Sequence, residues 1–177
     1  MGYTSSTAFE LSPNGSGGWN QATLHTFKGG LKDGIQPYGV PVFDGAGNLY
    51  GTTYSGGKKN LGTVWKSTPG TKSLKEKALY SFVSNGPGWN PGPGVALDSA
   101  GNIYGTTLRG GMKDGAGVIF ELAVTGKGYK QNVPWSFTST SRDSPRSAPI
   151  LVGGNLYGTA YEGGLNGTGG VVYEFVP

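Results

Sequence analysis

Apolar and polar residues alternate over short stretches of this chain, as in "GTVWKSTP" (62–69) and "GVIFELAV" (117–124). A period of two marks a half-buried β-strand. "NLYGTT" and "ALYSF", rich in Tyr, Thr and Leu, read the same way. Residues 39–43 ("GVPVF") and 94–97 ("GVAL") are small and apolar, and they run into "DGAGN" and "DSAGN". Asp and Gly supply tight-turn chemistry there, so each run predicts a hairpin with the strand that follows. No stretch keeps the 3.6-residue period of a helix beyond one turn, and outside 71–85 Gly or Pro interrupts every window of about 12 residues. The expected class is all-β.

The strands recur. "GNLYGTT" (47–53) returns as "GNIYGTT" (101–107) and "GNLYGTA" (154–160), placing Asn48, Asn102 and Asn155 54 and 53 residues apart. Phe27, Phe82 and Phe137 are each 55 apart, and "STAFELSP", "GTVWKSTP", "GVIFELAV" and "GVVYEFVP" align Phe9, Trp65, Phe120 and Tyr173. A unit of about 54 residues with four short strands is the signature of a β-propeller blade. Shorter-turned parallel β-helices are the second architecture. Labelled A to D, the strands are "GVPVF", "NLYGTT", "TVWKS" and "ALYSF". The units of this single domain, 1–177, are then 1–37 (C-D), 38–92, 93–147 and 148–177 (A-B-C). Gly51, Gly105 and Gly158 fall in mid-strand, where glycine predicts a close approach.

Composition changes the picture little. The chain has 35 Gly, 11 Pro and only 35% hydrophobic residues, a balance that approaches disorder, but 21 aromatics at fixed spacing supply a core. The net charge of +4 is spread among loops, which predicts solubility and no nucleic-acid partner. Cysteine is absent, excluding disulfides and thiolate-held metals. No apolar run reaches the roughly 18 residues of a membrane span, so no membrane insertion is expected. "MGYTSS" formally fits a myristoylation pattern but lacks a second lipid signal. It reads as an ordinary start, and with no signal-peptide pattern in the chain a secreted protein is expected to be represented in mature form.

The stretch from "LHTF" to "KSTPG" (24–70) resembles the GloVer repeat (Gloeobacter–Verrucomicrobia type), through the order "D-x-x-G-N-L-Y-G-T-T", "G-G" and "G-T-V-F". The resemblance implies a propeller-like bacterial protein, extracellular or at the cell surface, without an established enzymatic activity. Two departures stand out: the third unit reads "LVGGN" where the turn aspartate belongs, and the array is short. About three blades with ragged ends do not close a propeller. Two copies exchanging strands, Leu24–Phe27 of one beside Val171–Phe175 of the other, would close a six-bladed homodimer. A head-to-tail filament and an excerpt of a longer array are the other readings.

Ligand chemistry is expected on the face carrying the D–A loops, 28–38, 83–93 and 138–148, which diverge while the strands repeat. Trp89 and Asn90, in "GPGWNPGPG", offer a flat ring and an amide for a carbohydrate or another surface ligand. Tyr38 closes the first such loop. Tyr54 and Tyr161 share one repeat position, with Leu108 between them, and Arg109 and Glu162 share the next. An enzyme, a carbohydrate-active hydrolase or lyase, would need a carboxylate pair from Asp33, Asp114, Asp143 and Glu162. His25 is the only histidine and reads as structural or exposed. Glu10, Glu121 and Glu174 share a position with Lys66, which predicts a solvated strand face. "DGAGN" and "DSAGN" carry one carboxylate each, too few for calcium, so no metal or cofactor is expected.

Overall fold

The computed structural model describes residues 6–68, 75–84, 87–111, 115–138, 145–163 and 169–176. Those residues form fifteen strands, all paired antiparallel in four sheets, and no helix. The first sheet is a hairpin of β1 (Ser6–Pro13) and β2 (Trp19–Phe27). The second contains β3 (Gly34–Pro37), β4 (Val42–Phe43), β5 (Leu49–Gly56), β6 (Thr63–Thr68) and β7 (Lys75–Ser81). The third repeats it as β8 (Gly88–Pro91), β9 (Ala96–Leu97), β10 (Ile103–Gly110), β11 (Val118–Thr125) and β12 (Gly128–Ser136). The fourth has β13 (Ile150–Val152), β14 (Asn155–Ala160) and β15 (Val171–Phe175).

The first strand of each full unit departs from expectation. It is two pieces flanking one long partner: β3 and β4 both pair with β5, and β8 and β9 both pair with β10. The upper pieces, "GIQP" and "GWNP", lie where the sequence predicts loops. Gln36 and Asn90 sit there at φ 58° and 52°, left-handed values uncommon outside glycine, and each precedes a proline that has no N–H to donate. These two features break the ladder and hide the strand from periodicity. In the fourth sheet a bridge from Pro145 to Ala160 takes the same place.

One aromatic pair, used three times, joins each sheet to the next. Phe27 meets Trp65, Phe82 meets Phe120 and Phe137 meets Tyr173, edge to face, with centroids 5.6, 5.3 and 5.6 Å apart. Each Phe ends or directly follows the outer strand of one unit, and its partner lies on the third strand of the following unit. The three rings have room because Gly51, Gly105 and Gly158 stand opposite them in the register. A Cβ at Gly51 or Gly105 would come within 2.5 Å of Trp65 Cζ2 or Phe120 Cζ. Around these pairs lie Val64, Ile103, Val118 and Leu122 in one cluster, and Ile119 and Leu156 in another.

The "DGAGN" and "DSAGN" turns are closed by their aspartates. Asp44 Oδ1 accepts from the Ala46 and Asn48 amides, and Oδ2 from Asn48 Nδ2 and the Tyr50 hydroxyl. Asp98 repeats all four bonds with Ala100, Asn102 and Tyr104. In the third unit, which lacks this aspartate, Glu174 reaches across from β15 to accept from Asn155 Nδ2 and the Tyr157 hydroxyl, both at 2.7 Å. Within the strand row expected to be solvated, Glu174 is exposed and also holds this turn. Glu121 accepts from Tyr104 and Asn132, and Lys66 lies 3.9 Å from Asp44.

Candidate functional site

The break in the inner strands puts two rows of side chains on one end of the sheets. Aligning Pro37, Pro91 and Pro145 by their pairing makes the residues that follow them equivalent: Tyr38, Gly92 and Arg146. The neighbouring row is Tyr54, Leu108 and Tyr161. The rows pack on each other within a unit. Tyr38 meets Tyr54 at 6.2 Å, rings at 71°, and the Arg146 guanidinium lies 5.0 Å from the centroid of the Tyr161 ring. In these two rows the middle unit has Gly92 and Leu108, without a ring in either, so the space between the two pairs stays open.

The result is a groove of about 550 Å³ lined by Gln36, Tyr38, Tyr54, Pro93, Leu108 and Arg146, with Pro37 behind them. That volume falls within the roughly 300–1,000 Å³ of small-molecule sites. The lining combines two tyrosine rings, two prolines and Leu108 with Gln36 and Arg146. Tyr38 is held in place across the unit boundary, its hydroxyl donating to the Pro91 carbonyl at 2.9 Å. Burial of that hydroxyl pushes its pKa up to about 12, helped by Tyr54 and opposed by the charge of Arg146. Tyr38 therefore stays neutral, a donor and a surface rather than a base.

Gly92 is constrained as well as small. The Thr52 hydroxyl donates to its carbonyl at 2.8 Å and accepts the Gly94 amide at 3.0 Å, a buried clasp between the second and third sheets directly below the groove. A Cβ on Gly92 would come within 2.5 Å of Thr106 Oγ1.

Of the residues singled out from the sequence, Tyr38 and Tyr54 line the groove, and Tyr161 supports it through Arg146. Trp89 and Asn90 lie in β8 instead of on a loop tip. Trp89 is half-buried against the first core cluster, and Arg109 stands opposite it in the register. Asn90 is buried, 7% exposed, and serves the joint between units: Nδ2 donates to the Tyr54 carbonyl and its amide to that of Leu61. Glu162 is exposed and does not line the groove.

Among the carboxylates of the enzyme reading, Asp114 and Asp143 lie outside the described residues. Asp33 accepts from the Lys28 and Gly34 amides and sits 3.5 Å from His25 Nε2. It is a turn residue, and His25 packs edge-on against Phe27. No three His, Asp or Glu side chains converge among the described residues. Arg146, Gln36, Pro37 and Pro93 line the groove without having been singled out from sequence, and Arg146 is the charged one among them. Its signal was the proline register, which the loop's other letters conceal.

The Gloeobacter/Verrucomicrobia repeat profile matches residues 1–177. Neither a curated protein nor a solved structure matches the chain.

Proposed function

The chain belongs to the Gloeobacter/Verrucomicrobia repeat family, and from that premise we propose that it is a non-catalytic β-propeller module that binds a carbohydrate in the Tyr38–Tyr54–Arg146 groove. Its place is outside the cell or at the cell surface. The observation that carries this reading is the groove itself, which is built from divergent residues at equivalent positions of a repeated scaffold. The rings of Tyr54, on β5, and Tyr38, just after β3, present apolar area with little side-chain entropy to lose, which suits a sugar face. The hydrolase or lyase reading is weaker, because Asp33 is committed to its turn and Tyr38 is held neutral. The test is a glycan array followed by titration. Wild-type protein should retain a defined set of oligosaccharides, and Tyr54→Ala should lose about tenfold or more, the loss expected for one stacked ring. Retention of no glycan, or equal binding by the variant, would sink the reading.

The four sheets are the blades of this propeller, and a second copy completes the ring. The support is that β1–β2 is a C-D half-blade and β13–β14–β15 an A-B-C blade, each with one flank unpaired among the described residues. Both β1 and β15 are third strands. Closure therefore requires β15 of one copy to displace β1 of the other from β2, or to seat on the free flank of β1 as a fifth strand.

A further inference from the structure

The joint between consecutive sheets buries one set of positions repeatedly, and leaves the two halves of that set open at opposite ends of the array. Between the second and third sheets, Thr52 and Val64 are buried on the giving side and Gly92, Gly94 and Val95 on the receiving side. The third sheet gives Thr106 and Ile119 to the fourth, both buried, and the Thr106 hydroxyl donates to the Ser147 carbonyl. On the fourth sheet the corresponding pair faces outward: Thr159 on β14 is exposed, and Val172 on β15 is 80% exposed against 0% for Val64. The open receiving half lies on the second sheet. There Tyr38, Val40 and Pro41 stand where Gly92, Gly94 and Val95 stand, and all three are exposed. They edge a cavity of about 270 Å³ between the first hairpin and the second sheet, walled also by Phe27, Leu49 and Trp65. At the next joint Ile103 and Phe120 hold the places of Leu49 and Trp65, fully buried in one cluster with Tyr50 and Val64 of the sheet before. The first sheet has no second strand among the described residues to supply that cover, and its third strand offers Ala8 where the next has Val64.

The two open halves are complementary, and continuity with the joints already built names the occupant as a second copy of this chain. Resting on the ring-closure reading above, we infer that the cavity is a socket for β14 of that copy. The second copy's Tyr157 and Val172 cover Leu49 and Trp65, as Tyr50 and Val64 cover Ile103 and Phe120. The second copy's Thr159 hydroxyl donates to the Tyr38 carbonyl and accepts the Val40 amide, as Thr52 does with Gly92 and Gly94 at 2.8 and 3.0 Å. This selects one of the two ways of closing. Thr52 makes its clasp from β5, which only β6 separates from the outer strand β7. The second copy's β14 must likewise lie one strand away from β2, so its β15 takes the place of β1. A fifth strand would move Thr159 by a further strand spacing, about 4.8 Å, and out of reach of the clasp. β1 is the strand to release, because its Phe9 ring is 53% exposed while Tyr173 on β15 is packed against Phe137.

The experiment exploits a chain without cysteine. Full-length Thr159→Cys and Val40→Cys chains are mixed in equal amounts and oxidised. A disulfide-linked pair at twice 18.3 kDa is expected on a non-reducing gel, and neither chain alone should give it. Both positions are exposed in the single chain, so neither substitution disturbs its core. Native mass measured against concentration gives the wild-type dissociation constant, and Thr159→Val should raise it about tenfold or more, because the Tyr38 carbonyl and Val40 amide are then buried without a partner. A wild-type dimer with no cross-link in the mixture, or with unchanged affinity in Thr159→Val, overturns the socket and leaves ring closure standing. A wild-type monomer at all concentrations overturns both. A growing polymer that still links position 159 to position 40 supports the socket and overturns the closed ring.

Discussion

Gly51, Gly105 and Gly158 each face an aromatic ring across one strand pair, and the missing Cβ is what lets that ring lie over the strand. Gly105→Ala should cost about 1–3 kcal/mol in urea denaturation, the usual range for forcing a methyl into a packed core. Gly126→Ala, with nothing within 4 Å of an added Cβ, should stay within about 0.5 kcal/mol of wild type. This role was legible in the letters, since glycine weakens a strand and is kept at its middle where another group must come close. The role of Glu174 was not, because its spacing in sequence says nothing about reaching Asn155 and Tyr157 across a sheet. The turn carboxylates also set the acid response. The Asn48 amide chiefly, then its backbone and Tyr50, hold Asp44 at about 2 against an ordinary 3.8, outweighing burial. At Asp98 burial pushes upward but the bonds from Asn102 and Tyr104 win, and Glu174 is lowered by Tyr157 and Asn155. A carboxyl whose folded pKa is depressed stabilises the fold above its unfolded value, and that contribution disappears as pH falls through the folded one. The melting temperature should therefore hold down to about pH 4 and fall toward pH 2. Asp44→Asn should show a shallower fall over that window.

At the scale of elements, the hairpins were readable from "DGAGN" and "DSAGN" because turn chemistry is local. The divided first strand was not. Pro, Gly and a left-handed Gln36 or Asn90 look like loop in one dimension, and only the pairing with Thr53 or Thr107 shows them to be strand. The groove was hidden with it, for Tyr38 and Arg146 become equivalent only once Pro37 and Pro145 are seen in register. The Thr52 clasp holds this region to the next sheet. Thr52→Val keeps the shape and removes the hydroxyl, leaving the Gly94 amide and the Gly92 carbonyl buried without that partner. It should cost about 1–3 kcal/mol by denaturation, the penalty for an unmet buried polar group.

At the scale of the whole molecule, the repeated Phe-to-aromatic joint makes each unit depend on the one before it. Stability in such an array is close to a sum of units and interfaces, so the end sheets should be weakest unless a neighbour covers them. Ring closure by a second copy, as proposed above, would supply that neighbour. Native mass measurement should then give twice 18.3 kDa, and a monomer at all concentrations, or a growing polymer, would contradict the closed dimer. The described lining of the groove belongs to one copy. Its most direct test is backbone and tyrosine NMR of the labelled chain during titration with an oligosaccharide retained on the glycan array. Shifts centred on Tyr38, Tyr54, Leu108 and Arg146 are expected. Shifts centred elsewhere, for instance along β15, or none at saturating sugar, would contradict the account.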